Sequence, residues 1–361
     1  MSVDRNMVVH LSLIGASIAL ALMLHSWLGL LLYLGGFLVN ELVDQYFGVS
    51  MFDYTQCVRR GYQWFDVFLD RPEGDERDLT EGLFDGRDKS VQQAIHDKYD
   101  FIIARLGLRP GDTLLDVGCG YGQFVAYARA RGIVARGLTL SPQQAASMRR
   151  RGLDVLCADA RNPPRELDGQ FDAVTFLGCL EHFCESSYWR KPEKEAETFQ
   201  RVFRDAHRLL KPDSRVRRVF TSTLHRIRNP WSLKDWICGY FMQRHYGGLY
   251  PKGDDGLCKH SPPYFQVLER HDRTDDYRIT SLKDPLHFGD FSIRWTPGRV
   301  LRAIQLVLVD PYALHKWGYH LLGVWMWQLG GRQGAPPERQ LTRLWWFLYQ
   351  AVPAVEANRP G

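Results

Sequence analysis

Short apolar runs alternate with amphipathic segments through the middle of the chain. The runs have the length of buried strands, whereas the segments between them space their apolar residues three or four positions apart, as helices do. Strands are predicted near 113–117, 134–139, 154–158, 171–177 and 217–221. Helices are predicted near 122–131, 142–151 and 196–210. This order predicts an α/β fold in which a parallel sheet is covered by helices on both faces.

Further elements are predicted on both sides of this core. Amphipathic helices are predicted before it, at 59–69 and 90–106. After it, large apolar residues at helical spacing predict helices at 231–245 and 262–271, and shorter runs predict strands at 277–282 and 291–295. The C-terminal part is rich in Trp and has a helical pattern over 300–309, 312–329 and 340–352.

The N-terminal part is almost free of charge. From Asn6 to Asn40 there is no Asp, Glu, Lys or Arg. Because about 20 apolar helical residues cross a bilayer, the stretch predicts a transmembrane anchor, as one long tilted helix or as two short helices that meet near His25. A cleaved signal peptide fits less well, since the apolar part is too long and no small-residue cleavage site follows it.

Composition narrows the classes of ligand and partner. The chain has 361 residues and seven cysteines, and without any C-x-x-C pair neither a disulfide framework nor a metal site is predicted. The net charge is +5, with small basic clusters at 149–151 and 215–218. Beside a membrane anchor, these clusters favour anionic lipid head groups over nucleic acid as partners, and a plain solvated surface remains the simpler interpretation.

The strongest motif is a glycine-rich turn. An apolar run ends in Asp116 and is followed by Gly118, Gly120 and Gly122. Glycine permits positive φ and a close approach of the backbone to a ligand, and ligands bind such sheets at the carboxyl ends of the strands. The turn lies between a predicted strand and a predicted helix, as a ligand-binding turn requires. The letters D-V-G-C-G-x-G resemble class I S-adenosylmethionine (SAM) methyltransferases rather than NAD enzymes, which implies their Rossmann-like sheet.

Residues after the next strands complete the predicted SAM site. Ser141 followed by Pro142 is typical of a helix start, and Gln144 can supply hydrogen bonds. Asp159 directly follows the third strand, where it is placed to receive the adenine amino group. The predicted SAM-binding residues are Asp116, Gly118, Cys119, Gly120, Gly122, Thr139, Leu140, Ser141, Gln144, Asp159 and Ala160.

Segments 112–122, 137–144 and 180–183 resemble the cyclopropane-fatty-acyl-phospholipid synthase family, which includes mycolic acid cyclopropane synthases and sphingolipid C9-methyltransferases. The resemblance covers residues 55–300, and the apolar N-terminal part is most similar to the sphingolipid branch. It implies that an alkene in a lipid chain attacks the SAM methyl group, and that a base then removes a proton from the carbocation. Aromatic faces stabilise such a cation.

The chain departs from this family where the family holds a bicarbonate base. The family's Tyr-Ser-Cys element corresponds to Leu79-Thr80-Glu81-Gly82-Leu83-Phe84, so its cysteine is absent. Its His-Thr-Ile element corresponds to Phe220-Thr221-Ser222-Thr223, and the tyrosine of its His-Tyr segment is Phe288 here. A bicarbonate-dependent cyclopropanation is therefore not expected, and another base or a non-cyclising methyl transfer is favoured. The candidate catalytic residues are Glu181, Glu185, Glu81 and His225.

Five regions are predicted: a membrane anchor (1–48), an N-terminal helical cap (49–107), a SAM-binding core (108–225), a lid with the remaining core strands (226–296) and aromatic-rich C-terminal helices (297–361). The leading hypothesis is a membrane-associated, SAM-dependent methyltransferase that acts on an unsaturated lipid carbon, with its catalytic part in the cytosol, where SAM is. The alternatives are methylation of nitrogen or oxygen on a hydrophobic small molecule, and a SAM-binding membrane protein without turnover.

Overall fold

The computed structural model describes residues 5–24, 28–47, 52–68, 78, 80–228, 248–283, 296–313 and 330–353. The helices in this part are α1 (Arg5–Leu24), α2 (Leu28–Phe47), α3 (Tyr54–Phe68), α4 (Val91–Leu106), α5 (Gln123–Arg129), α6 (Pro142–Arg150), α7 (Pro192–Leu209), α8 (Thr274–Lys283) and α9 (Pro297–Val309). The strands are β1 (Thr113–Val117), β2 (Val134–Thr139), β3 (Val155–Cys157), β4 (Ala173–Leu177), β5 (Arg218–Arg226), β6 (Phe265–Asp272) and β7 (Thr342–Ala351). The elements predicted at 231–245, at 291–295 and over most of 312–329 lie outside the described residues.

The described strands form one mixed sheet in the order β3-β2-β1-β4-β5-β7-β6. Strands β1 to β5 pair in parallel, whereas β7 runs antiparallel between β5 and β6. Parallel neighbours need crossover connections, which α5, α6 and α7 supply. The alternating core predicted from the sequence is therefore confirmed, and the order reverses between β1 and β4, where such sheets bind ligands.

Three elements beyond this core differ from the prediction. The segment predicted as a helix over 340–352 is β7, in which only Arg343 and Gln350 are not fully buried. A strand buried on both faces loses the polar alternation that marks strands, so periodicity cannot distinguish it from a buried helix. The predicted helix at 262–271 is the edge strand β6, and the predicted strand at 277–282 is α8, whose first turn carries Asp275 and Asp276 at the end that favours acids.

The sheet separates two apolar cores. On one face, Phe199 and Phe203 of α7 pack against Phe347 and Tyr349 of β7. On the other face, Ile102 and Leu106 of α4 belong to the core that contains Phe220 and Trp346. Because the side chains of β5 and β7 alternate between these cores, adjacent residues of one strand serve different sides of the sheet.

The N-terminal apolar stretch forms α1 and α2, which pack against each other, and α1 also contacts α9. Among the described residues, no helix is both long enough and apolar enough to cross a bilayer, so the predicted transmembrane anchor is not confirmed. Polar side chains interrupt both helices and are buried within the protein: His10 and Ser17 in α1, and Asn40 and Glu41 in α2.

Candidate active site

Two adjoining cavities lie at the carboxyl ends of β1, β2 and β4. The first has an empty volume of about 1040 Å³ that opens to solvent, and acidic and aromatic side chains line much of it. The second has an empty volume of about 620 Å³ and lies over the ends of β2 and β3. Gly118, Gly120, Tyr62 and His182 line both cavities, so the glycine turn is the boundary across which one extended ligand can reach from one cavity to the other.

The glycine turn has the conformation that its sequence predicts. Gly118 and Gly120 have φ of 72° and 54°, a region that side chains with a Cβ adopt at a cost. A Cβ at Gly118 would stand 2.5 Å from Cβ of Cys179, whereas a Cβ at Gly120 would meet nothing within 4 Å. Gly118 is thus required for packing, and Gly120 exposes its backbone to the cavities.

Asp116, at the end of β1, is buried, and its Oδ1 accepts a hydrogen bond from Thr175 Oγ1 at 2.8 Å. Burial raises the pKa of this carboxyl to about 7. Asp116 lines the first cavity. It therefore fixes the strand end from below the glycine turn and offers a carboxyl group to a ligand's ammonium.

The residues predicted after β2 line the second cavity. Thr139 Oγ1 donates to Gln144 Oε1 at 2.6 Å, and Ser141 Oγ accepts from the backbone N–H of Gln144 at 3.3 Å. Ser141 is therefore the N-cap of α6, as predicted. Together with Leu140, these side chains form a polar and apolar wall on which a ribose or an adenine ring can rest.

Asp159 and Ala160 also line the second cavity. The Asp159 carboxylate is held by Arg161, whose Nη2 lies 2.8 Å from Oδ2. The Arg161 guanidinium lies over the ring of Tyr54, 5.3 Å from its centroid. Asp159 is therefore near the expected adenine position, but its carboxylate also forms an ion pair with Arg161, which was not predicted from the sequence.

Helix α3 forms one wall of the second cavity, which we call the cofactor cavity. No residue of this helix was predicted to belong to the site. Tyr54, Thr55, Val58 and Tyr62 all line the second cavity. Tyr54 Oη donates to the carbonyl oxygen of His182 at 2.7 Å, so the helix is tied to the segment after β4. The aromatic residues at helical spacing in α3 were the available signal, and they indicated a helix without indicating what it covers.

Two buried glutamates face the first cavity. Glu181 follows β4, and its Oε1 accepts from the backbone N–H of Leu224 at 2.6 Å. Its Oε2 is buried and has no hydrogen-bond partner within the described part of the chain. Burial, with a smaller contribution from the nearby Glu81, raises the pKa of Glu181 to about 7. A carboxylate with one free oxygen and a pKa near neutrality is suited to accept a proton.

Glu81 is held more fully than Glu181. Its Oε1 accepts from Ser222 Oγ at 2.7 Å and from Trp346 Nε1 at 2.5 Å. Burial raises the pKa of this carboxyl as well. Both glutamates predicted from the sequence thus line one cavity, and the two donors to Glu81 make Glu181 the freer acceptor.

The other two predicted catalytic residues lie elsewhere. His225 is on the α7 side of the sheet, where its ring stacks on Phe347 and its Nδ1 lies 2.8 Å from the carbonyl oxygen of Gly253. Glu185 lines a third, polar cavity, which shares Asp159, Ala160 and Arg161 with the second cavity. Neither lines the cavity that holds Glu181, because successive residues of β5 alternate in direction and the chain turns outward after Glu181.

A buried ion pair beside the first cavity was missed. Lys98 of α4 is fully buried, and its Nζ lies 2.7 Å from Asp78 Oδ2 and 2.5 Å from Thr80 Oγ1. Tyr99 Oη also donates to Asp78 Oδ2, at 2.5 Å. Burial alone would raise the pKa of Asp78, but the charge of Lys98 and the hydrogen bonds from Lys98, Tyr99 and Thr80 outweigh it and lower that pKa to about 2. A lysine inside an amphipathic helix gives no sequence signal of burial.

We expect Lys98→Met to destabilise the protein by about 3–5 kcal/mol, because it leaves the Asp78 carboxylate buried without its counter-ion. Urea unfolding followed by circular dichroism measures the change. Lys89→Met is the matched control, since Lys89 pairs with the half-exposed Asp97, and such pairs contribute about 0–1 kcal/mol. Equal losses in the two variants would contradict a stabilising role of the buried pair.

Comparison with known protein families assigns the fold and the two cavities to one of them. The family model described as mycolic acid cyclopropane synthetase matches residues 54–277, from α3 to α8. The chain belongs to this family. The resemblance inferred from the sequence is confirmed, and the match includes the glycine turn, the two glutamates and most of the sheet, but neither α1 and α2 nor β7.

Relatives of this cyclopropane synthetase family member include lipid-modifying enzymes. The chain is 34% identical over 139 residues to a probable fatty acid methyltransferase of Mycobacterium tuberculosis, covering 37% of this chain and 33% of the relative. It is 28% identical over 207 residues to sphingolipid C9-methyltransferase A of Emericella nidulans, covering 54% and 36%. The aligned parts thus span about a third of the length of these curated relatives.

Solved structures of family members share the fold. The cyclopropane synthase MmaA2 from Mycobacterium tuberculosis superimposes with a TM-score of 0.57 at 20% identity, over 83% of this chain and 99% of that structure. The mycolic acid cyclopropane synthase CmaA1 in complex with SAH and CTAB gives a TM-score of 0.55 at 20% identity, over 82% and 98%. The fold is therefore that of class I SAM-dependent methyltransferases.

Proposed function

We propose that this protein transfers a methyl or methylene group from SAM to an unsaturated carbon of a lipid, with Glu181 as the base. The observation that carries the proposal is the free Oε2 of Glu181, buried in a cavity that meets the cofactor cavity at Gly118 and Gly120. A donor bound across this boundary has its reactive centre beside a carboxylate that can accept a proton.

The residues divide the work in this proposal. Gly118 and Gly120 leave the backbone open to SAM, Asp116 meets its ammonium group, and the wall formed by α3 and the end of β2 takes its nucleoside. Bound SAM supplies an electrophilic methyl group, with which the alkene π electrons form a carbon–carbon bond as the bond to sulfur breaks. Glu181 Oε2 then takes a proton. If the proton leaves the transferred methyl group, the C–H electrons close a ring onto the cationic carbon; if it leaves a chain carbon next to the cation, they form a double bond.

Bicarbonate does not fit this site. In the family, three segments hold bicarbonate. The two of them that are described here, which contain Glu81 and Ser222, are joined by a hydrogen bond from Ser222 Oγ to Glu81 Oε1. The third position, Phe288, lies outside the described residues. Glu81 brings a carboxyl group of its own into a buried place, and a second anion there would face a like charge at low dielectric. The proton acceptor is therefore taken from the protein.

A lipid substrate is supported by the relatives that act on fatty acids and sphingolipids and by the aromatic lining of the first cavity, which includes Tyr62, Phe124, Tyr250 and Tyr277. Aromatic faces stabilise a carbocation and accommodate an acyl chain. Such a substrate resides in a bilayer. We therefore place the enzyme at a membrane, with its catalytic part in the cytosol, where SAM is.

The test is expression in a host fed methionine with a deuterated methyl group, followed by mass spectrometry of total lipids. We expect a new lipid that carries the label on carbon, and no such lipid from cells that express Glu181→Gln. Three retained deuterium atoms would mean a methyl branch, and two would mean a ring or a methylene group. The proposal would be overturned if the wild-type enzyme produced no labelled lipid in any of several hosts that differ in lipid content.

A second candidate is methylation of nitrogen or oxygen on a hydrophobic small molecule. The observation in its favour is the loss of the bicarbonate-holding residues around Glu81, since a heteroatom acceptor needs no strong base at carbon. Label on nitrogen or oxygen in the same feeding experiment would decide for it. SAM binding without any S-adenosylhomocysteine release, against lipid or small-molecule extracts, would indicate a protein without turnover.

A further inference from the structure

Helices α1, α2 and α9 place apolar side chains outward, and α1 and α2 also bury polar ones. The outward stripe of α9 contains Val300, Leu301, Ile304, Val307 and Leu308, which are 41–57% exposed. Corresponding stripes on the other two helices consist of Val8, Leu11, Ile18 and Leu22 in α1 and of Leu31, Leu34, Leu38, Val39 and Leu42 in α2. Their spacing of three, four and seven residues puts each set on one side of its helix. We call these outward stripes together the apolar layer.

The inward sides of α1 and α2 carry polar side chains. His10, Ser17, Asn40 and Glu41 are 3–7% exposed. Glu41 Oε1 accepts from Tyr312 Oη at 3.0 Å, and Tyr33 Oη lies 3.3 Å from His10 Nδ1. In water-soluble domains helices bury their apolar stripe. The reversed arrangement is the one expected where the surroundings are hydrocarbon, because polar groups then find partners only inside the protein.

Charge around the apolar layer identifies its surroundings further. Arg299 and Arg302 lie in the first two turns of α9, at the edge of the layer, and Arg302 is exposed. Among the side chains described in these three helices, the acidic one is Glu41, which is buried. An apolar surface with Arg299 and Arg302 at its margin complements a bilayer whose interface carries anionic head groups.

The apolar layer is joined to the active site through α3. Trp64 Nε1 donates to Asp310 Oδ2 at 2.8 Å, directly after α9. Nine to ten residues earlier on the same helix, Tyr54 and Thr55 line the cofactor cavity. One helix therefore has one end beneath the layer and the other beside the second cavity, so a surface that contacts the layer lies close to the cavities.

We propose that the apolar layer of α1, α2 and α9 docks into one leaflet of an anionic bilayer, which gives the proposed lipid methylation its substrate source. The helices lie in the interface with their apolar sides among the acyl chains, and Arg299 and Arg302 contact the head groups. This mode of attachment needs no membrane-crossing helix. It depends on surface chemistry and not on turnover, so it can be tested separately from the methyl transfer.

The test is flotation of the full chain with phosphatidylcholine vesicles, with and without phosphatidylglycerol. We expect wild-type protein to float with both and to bind the anionic vesicles more tightly. Leu301→Glu with Leu308→Glu should weaken binding to both kinds of vesicle at least about tenfold, since each substitution replaces an apolar side chain of the layer with a charged one. Arg299→Gln with Arg302→Gln should weaken only the binding to anionic vesicles, by about tenfold or more at low salt.

Val267→Glu with Leu268→Glu is the matched control, since both side chains are exposed apolar residues of β6, outside the layer. This variant should float like the wild type. Retained SAM affinity, measured by calorimetry, shows that each variant is folded. Equal flotation of the α9 variant and the control would overturn the proposal, as would a stable dimer without vesicle binding that Leu301→Glu dissociates. Flotation without any lipid product would uphold the docking surface and count against the proposed function alone.

Discussion

Glu181→Gln is expected to lower kcat by about 10²–10⁴-fold, the usual contribution of a general base, and to leave SAM affinity unchanged. The amide retains an oxygen that can accept from the backbone N–H of Leu224, as Oε1 does in the wild type. What the substitution removes is the capacity of the second, unpartnered oxygen to hold a proton. Turnover with purified enzyme and lipid vesicles, beside calorimetric titration with SAM, separates the two effects.

The pH profile provides a second readout of the same group. The carboxyl must be ionised to accept a proton, and burial raises its pKa to about 7. Activity of the wild type should therefore rise as the pH increases through about 7 and level off above it. The residual activity of Glu181→Gln should lack this rise. If the rise persists in Glu181→Gln and disappears in Glu81→Gln, the base is Glu81 instead.

Glu185→Gln is the control for this prediction, because Glu185 follows the same strand but lines the polar cavity and not the cavity that Glu181 faces. Its activity should stay close to that of the wild type. A loss of activity as large as that of Glu181→Gln would mean that the polar cavity contributes to the chemistry. The free oxygen of Glu181 would then not identify the base.

The parallel core could be predicted because its signals are local. Each of β1 to β5 is a short apolar run, and Ser141 before Pro142 marks the start of α6 as well as a sequence can. The edge of the sheet could not be predicted in the same way. Strand β7 comes more than a hundred residues after its partner β5, and its aromatic run acquires strand geometry only when the pairing of Thr221 with Phe347 forms. Tertiary pairing overrides local pattern there.

The site shows the same division. Gly118, in the glycine turn, and Glu181, shortly after a strand, were predicted to lie at the site and do line the first cavity, because their positions in the motif determine where they lie. Tyr54, Lys98 and Arg161 were missed because they reach the site from α3, from α4 and from a loop, respectively, and what they contact depends on packing. His225 was chosen for its chemistry, but the alternation of β5 turns it to the other face of the sheet.

Gly120→Leu is expected to abolish SAM binding measurable by calorimetry while the protein stays folded. A Cβ at Gly120 meets nothing within 4 Å, so the new side chain has room to extend from the turn. The space it fills lies at the boundary between the two cavities, across which the cofactor lies in the proposed site. The positive φ of 54° adds backbone strain of roughly 1–2 kcal/mol, which alone would lower stability without affecting binding.

Gly152→Leu separates strain from occlusion. Gly152 has φ of 71°, and a Cβ there also meets nothing within 4 Å, but the residue lines neither cavity. Both variants should therefore lose a similar amount of stability in urea unfolding, and only Gly120→Leu should lose SAM. Unchanged SAM affinity in Gly120→Leu would remove the cofactor from this boundary and with it the argument that places the reactive methyl beside Glu181. Loss of SAM in both variants would make backbone strain, rather than occupation of the cavity, the cause.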